Sequence, residues 1–304
     1  MNPDPSPDSN ALRRTGLANG LAAYLLWGLI PLLFAAAAPT GALELVSHRV
    51  IWSLLFCAIL LAFTGGFKRT WKIVRSGRTF WLLALASVLI AVNWTGFVYG
   101  VETGRLVEVS LGYYLNPLIS IGLGVVFLGE KLRPLQWLAA GFGLTAVIIV
   151  GLGIGRMPYL AFTVALSFGL YGLVKNKVGG RVGALEGMTV ESAVLAIPSA
   201  IYLLVLASQG LSTFTGFGVG HVIIILVTGP ATAIPLILFS AAARRIPLSW
   251  VGMLQYITPT MQFITGVFIL GESMSTTRWI GFFVIWVAVV LLCTDIVRRS
   301  RRRL

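Results

Sequence analysis

Tyr113 to Val147 reads YYLNPLISIGLGVVFLGEKLRPLQWLAAGFGLTAV, and Gln255 to Val289 reads QYITPTMQFITGVFILGESMSTTRWIGFFVIWVAV. The two align without a gap, 142 residues apart. Tyr114 meets Tyr256, Pro117 meets Pro259, Gly124 meets Gly266, Leu128-Gly129-Glu130 meets Leu270-Gly271-Glu272, and Trp137 meets Trp279. Ungapped matches at Pro, Gly, Glu and Trp make chance improbable, so the chain carries an internal repeat. A weaker echo pairs YLLWGL near the start of the first half with SFGLYGL in the second.

Composition says what solvent the repeat lives in. The chain has 304 residues, 57% hydrophobic and only 11% charged, with a mean hydropathy of +0.91. A soluble domain carries about 25% charged residues to cover itself, so this is an integral membrane protein. The net charge of +13 lies in short loops between apolar runs. There it reads as a set of topology determinants, and nucleic acid is excluded as a partner. Cys57 and Cys293 fall far apart in apolar runs, which gives neither a disulfide framework nor metal spacing. No metal or other cofactor is expected.

Lipid forces each spanning segment to satisfy its own backbone hydrogen bonds, so apolar runs of about 20 residues are helices. Ten follow: 17–38, 42–64, 80–101, 107–128, 134–153, 157–174, 185–208, 220–242, 248–270 and 277–295. The expected fold is an all-α membrane protein of ten transmembrane helices in two five-helix repeats, 17–153 and 157–295. They are flanked by a cytoplasmic tail at 1–16 and a basic cytoplasmic tail at 296–304. Arg13 and Arg14 before an apolar run ending FAAAAP resemble a signal peptide, but 17–38 is long for one and long enough to span.

A cytoplasmic N-terminus places all but four of the 23 Lys and Arg residues inside. Arg105, Arg156 and Arg278 fall outside and Arg49 lies within a span. Such a bias supports the orientation and an even number of spans. The repeat offset shifts the helix count by five, an odd number, so the copies point in opposite directions. Inverted repeats of this kind are a secondary-transporter architecture. The charged segment 65–78 is expected as a short surface helix, read as a positive-inside anchor with anionic-lipid or partner binding as the alternative.

The two halves, each ending in LGE and a tryptophan-bearing helix, resemble the EamA repeats of the drug/metabolite transporter superfamily. AAYLLWGLIPLLF, HRVIWS, SVLIAVNW, EVSLGYYLNPL, GLYGLVKNK and LQYITPT occur in order and resemble the RarD branch, from about Gly16 to Asp295. The resemblance implies a bacterial inner-membrane permease associated with chloramphenicol sensitivity or resistance, with both termini cytoplasmic. It also implies that the fifth and tenth helices sit outside a central cavity.

Polar side chains inside spans face a cavity or each other. Glu44, His48 and Arg49 head the second span, Glu44 and His48 four apart on one face. Arg49 lies about 10 Å inside the outer helix end. There it serves as a cation for an anionic solute group or pairs with Glu102 or Glu108 as an outer gate. Asn93, Trp94 and Tyr99 on the third span, Tyr113, Tyr114 and Asn116 on the fourth, and Trp27, Tyr171, Gln255 and Tyr256 elsewhere complete the candidate cavity. Such a lining suits an amphipathic ligand with a ring or a carboxylate. Pro117 and Pro259 match across the repeat and mark a helix break or gate. Glu191 is a candidate coupling site for protons.

Several residues have plainer readings. Tyr114 and Tyr256 can seal helix packing; Trp71, Trp81, Trp137 and Trp279 suit the interfacial belt; Glu130 and Glu272 suit helix-end caps; Glu102, Arg105 and Glu108 suit mutual ion pairing. Zinc-protease, nucleophile-elbow and phosphate-loop motifs are absent, so the chain reads as no enzyme. The expected activity is alternating-access transport of a small organic solute, with a non-transporting lipid- or drug-binding scaffold as the alternative. Its expected partners are that solute, membrane lipid and a second copy in a homodimer.

Overall fold

The computed structural model describes residues 7–128, 133–178, 182–243, 245–246 and 248–301. Glu130, Lys131, Arg181, Arg244, Arg302 and Arg303 lie outside the described residues. Every described element is helical: α1 (Pro7–Ala36), α2 (Ala42–Thr64), α3 (Phe67–Val74), α4 (Gly77–Glu102), α5 (Leu106–Leu128), α6 (Pro134–Ile154), α7 (Tyr159–Val178), α8 (Ala184–Ser208), α9 (Gly218–Ala243), α10 (Leu248–Leu254), α11 (Ile257–Ile264) and α12 (Thr276–Arg301). A π-helical turn, Thr265–Ile269, continues α11. Seven of these helices are long and apolar enough to cross a membrane: α1, α2, α4, α6, α8, α9 and α12.

The apolar run 248–270 is not one helix. It breaks at Gln255–Tyr256, between α10 and α11, and widens into the π-helical turn beyond Ile264. Pro259 sits in the first turn of α11, where its missing N–H costs least. Pro117, its match in sequence, lies inside an uninterrupted α5. The paired prolines therefore sit in different backbones.

Helix pairing falls into matched sets. α2 packs on α8, α6 on α12, and α5 on α11. α4 on α7 is answered by α1 on α9, α5 on α7 by α1 on α11, and α2 on α9 by α4 on α8. Local detail agrees: Gly41-Ala42-Leu43-Glu44 starts α2 and Gly183-Ala184-Leu185-Glu186 starts α8, again 142 apart. Both cap glycines are extended, at φ −66°, ψ 157° and φ −65°, ψ 155°.

Small residues bring backbones together where lipid offers no hydrophobic drive for helices to associate. A Cβ on Gly229 of α9 would lie 2.5 Å from the Trp52 carbonyl carbon, and one on Gly112 of α5 would lie 2.5 Å from the Ala161 oxygen. Neither position admits a side chain without moving a helix. The short α3 is tied down by Arg69, which donates to Glu186 of α8 at 2.8 Å.

Candidate functional site

Arg49 projects from α2 into the bundle and is 4% exposed. Its guanidinium lies 4.1 Å from the centroid of Trp94 on α4 and 5.4 Å from that of Phe34 on α1. Nε donates to Thr232 Oγ1 of α9 at 2.7 Å, and Thr232 in turn donates to the Thr228 carbonyl. Nη1 is buried with no hydrogen-bond partner among the described residues. No described carboxylate forms an ion pair with it either.

The pairing with Glu102 or Glu108 read as an outer gate is not formed in this structure. Glu102 accepts the N–H of Ala42 at the start of α2, and Glu108 accepts from Arg105, Arg156 and the Leu160 N–H at the start of α7. Glu272 likewise accepts the N–H groups of Leu106 and Val107 at the start of α5. Helix N-termini present unpaired N–H donors and partial positive charge at this end of the bundle. They engage the acids while Arg49 points inward. The expected mutual pairing of Glu102, Arg105 and Glu108 therefore reduces to Arg105 with Glu108, and Glu272 has the helix-end role read for it.

Glu44 and His48 are buried beside Arg49. The carboxylate of Glu44 takes the Thr213 N–H at 2.8 Å, the Ser212 hydroxyl at 3.0 Å and the Thr213 hydroxyl at 2.9 Å. His48 Nε2 stands 3.9 Å from Glu44 Oε1, and its ring stacks on Phe214 at 4.7 Å. Phe214 also stacks on Trp52, whose buried Nε1 has no partner among the described residues. Ser212, Thr213 and Phe214 went unread in the sequence because a loop of ordinary composition gives no sign of where it folds back. Thr232 was missed as one hydroxyl in an apolar run.

Also on α4, Asn93 donates to the Val164 carbonyl at 2.9 Å and accepts from the Tyr113 hydroxyl at 3.0 Å. Nearer the opposite end, Glu191 of α8 accepts from Lys175 at 2.6 Å and from Tyr171 at 3.2 Å, both on α7. Tyr113 meets Phe168 edge-on, and Phe168 contacts Tyr171. Asn93, Tyr113, Phe168 and Tyr171 thus form a continuous path of polar tips and rings.

The remaining candidates separate. Tyr114 and Tyr256 stack on each other at 6.4 Å, and the Tyr114 hydroxyl bonds Thr260 Oγ1 at 2.8 Å. They belong to the core cluster with Phe263 and Phe282. Trp27 packs with Tyr24 and Phe239. Asn116 is buried, its Oδ1 without a partner among the described residues, and Gln255 is half-buried at the break before α11. Tyr99 is 40% exposed at the end of α4, away from Arg49. Trp71, Trp81 and Trp137 are exposed as belt residues would be, whereas Trp279 packs on Phe263.

Comparison with known proteins agrees with this architecture. The EamA-like transporter family model matches twice, at residues 14–152 and 156–294. A Streptomyces exfoliatus protein named "Protein RarD" is 43% identical over 290 residues, covering 95% of this chain and 91% of its own. The Pseudomonas aeruginosa "Uncharacterized transporter PA0485" is 38% identical, covering 95% and 96%. A solved crystal structure with 16% identity superposes at a TM-score of 0.62 over 94% of this chain and 98% of that one, which speaks to the fold alone. The chain is a multi-pass membrane protein and belongs to the EamA-like transporter family.

Proposed function

We propose that the chain is a secondary transporter of the bacterial inner membrane, moving a small amphipathic organic solute with an anionic group by alternating access. The carrying observation is Arg49, a buried cation stacked on Trp94 with Nη1 free of described partners. A charge inside a span costs about 2.5–3.5 kcal/mol on the most lenient scale. An unpaired one calls for an anionic ligand to complete it. A carboxylate takes two parallel N–H bonds from the guanidinium fork, while Trp94, Phe34 and Trp52 supply aromatic faces for an apolar body.

Ten spans are supported by the seven long apolar helices together with α5, α7 and the interrupted α10–α11. Two inverted repeats, 17–153 and 157–295, are supported by the matched helix pairings and the matched starts of α2 and α8. Unlike backbones at Pro117 and Pro259 suit a pair of repeats caught in two shapes. Both termini are cytoplasmic in this reading, protons are the coupling ion, and a homodimer is compatible with it. Chloramphenicol belongs among the solutes to test, given the RarD-named relatives.

The test is solute counterflow in proteoliposomes with aromatic carboxylates and chloramphenicol as probes. Arg49→Ala and His48→Ala are each expected to lose about tenfold or more of the rate, the scale of one lost charged contact. Unchanged counterflow in both would remove the cluster from the mechanism. A scaffold would show no counterflow in any variant.

A further inference from the structure

The two histidines of the chain are 173 residues apart in sequence, yet both are buried and flank Glu44, His221 through a hydrogen-bonded chain and His48 at ion-pair distance. His221 Nε2 on α9 lies 2.9 Å from Thr40 Oγ1, which lies 2.7 Å from Thr213 Oγ1. Thr213 Oγ1 lies 2.9 Å from Glu44 Oε2, and Glu44 Oε1 lies 3.9 Å from His48 Nε2.

The polarity of this chain follows from counting protons. An ionised carboxylate only accepts, so the single Thr213 hydroxyl proton goes to Glu44. Thr213 must then accept from Thr40, and Thr40, its own proton spent, accepts from His221 Nε2–H. Every donor points from His221 toward Glu44. We propose that His221, Thr40, Thr213 and Glu44, with His48 beside the carboxylate, form a proton-binding relay that sets whether the Ser212–Phe217 segment is latched onto α2. The proposal rests on the transport reading above, for which it supplies the coupling site.

The step moves one proton and no electrons. A proton from water binds His221 Nδ1, the Nε2 proton passes to Thr40, that of Thr40 to Thr213, and that of Thr213 to Glu44. Both hydroxyls end restored and the carboxyl ends neutral. Glu44 held Thr213 N–H and Ser212 through charge-assisted bonds, roughly twice as strong as neutral ones, so its neutralisation releases the segment. Phe214, which covers His48 and Trp52 next to Arg49, goes with it.

The titratable groups facing His48 are Glu44 on its own helix and His221 on α9. The 212–214 segment brings none, and Arg49 turns toward Trp94 and Thr232. Facing His221 are His48, Thr40 and Phe217, the last with its ring at 5.5 Å.

Hydrogen–deuterium exchange of residues 209–218 in the purified full chain, corrected for intrinsic rates, tests the relay. Exchange is expected to be about tenfold faster at about pH 5.5 than at about pH 7.5. The double variant His48→Gln/His221→Gln, still able to donate to Thr40, is expected to bring that ratio to about one. A pH-independent wild-type segment overturns the proposal without any variant, and so does a double variant that keeps the wild-type ratio. Counterflow by the wild type at fixed pH is read separately. Its absence in the wild type would remove the transport reading and leave the exchange result standing, whereas wild-type counterflow with pH-invariant exchange would remove only the relay.

Discussion

The Arg49 guanidinium stacks 4.1 Å from the Trp94 ring centroid while no described carboxylate pairs with it. A stacked but unpaired buried cation is a stability cost that function retains. Arg49→Met keeps the chain length and the contact with Trp94 but removes the charge. We expect it to raise stability by about 1–3 kcal/mol and to abolish counterflow. Thermal unfolding in detergent and a counterflow assay on the same preparation check the two halves.

Gly229 lets α9 touch the backbone of α2 at Trp52, one turn before Thr232, which holds Arg49. Gly229→Ala forces the helices apart and is expected to cost about 1–3 kcal/mol. Solute affinity should fall with it, because the Thr232–Arg49 bond sits on the displaced face. A lowered unfolding midpoint with unchanged affinity would place the solute elsewhere.

Tyr114 joins the two matched segments through its hydroxyl on Thr260 and its ring on Tyr256. Thr260 keeps a second bond to the Tyr256 carbonyl, so Tyr114→Phe should cost only about 0.5–1 kcal/mol. Tyr114→Ala empties a site that is 1% exposed and should cost about 3–5 kcal/mol. Denaturant titration of both variants separates the hydroxyl from the ring.

Glu108, 2% exposed, ties Arg105, Arg156 and the start of α7 together. Glu108→Gln keeps the shape and removes the charge that balances two arginines. With Arg156 partly open to water, we expect a loss of about 2–4 kcal/mol. Faster proteolysis in the 155–159 connection would accompany it.

Burial raises the Glu272 carboxyl above the ordinary carboxylate range, opposed only in part by the N–H groups of Val107 and Leu106 and by the Arg278 charge. The folded chain therefore holds this proton more tightly than the unfolded chain, whose value is about 4.3. The stabilisation is fully present below that value and is lost as pH rises through the higher folded value. Glu272→Gln should remove this part of the pH dependence. The difference in unfolding midpoint between wild type and variant, followed upward from about pH 4.3, reads it; a constant difference would contradict the sign.

Much of the architecture was legible in the sequence because lipid enforces it. Nine of the ten apolar runs each fall largely on one helix, 248–270 falls on the interrupted α10–α11, and the repeat is written in Pro117, Gly124 and Trp137 and their matches. The break at Gln255–Tyr256 was not legible: Pro117 and Pro259 look alike in sequence, and only packing against α1 and α5 accompanies an interruption in one and not the other. The candidate site was half legible. Glu44, His48, Arg49 and Trp94 stood out because charge and indole are costly or conspicuous in an apolar run.

What the sequence alone determined is the class of molecule: an all-helical membrane protein with a doubled plan, fixed by hydropathy and by a period of 142 residues. What only the tertiary structure decided is which groups complete the polar cluster. Thr213 and His221 reach Glu44 and Thr40 across more than 160 residues of chain. The acids offered to Arg49 by proximity in the loops bind helix N-termini instead. Hydrophobic periodicity is a local property that each span must satisfy alone. Hydrogen-bond partners are chosen by geometry between helices, which no single stretch of sequence contains.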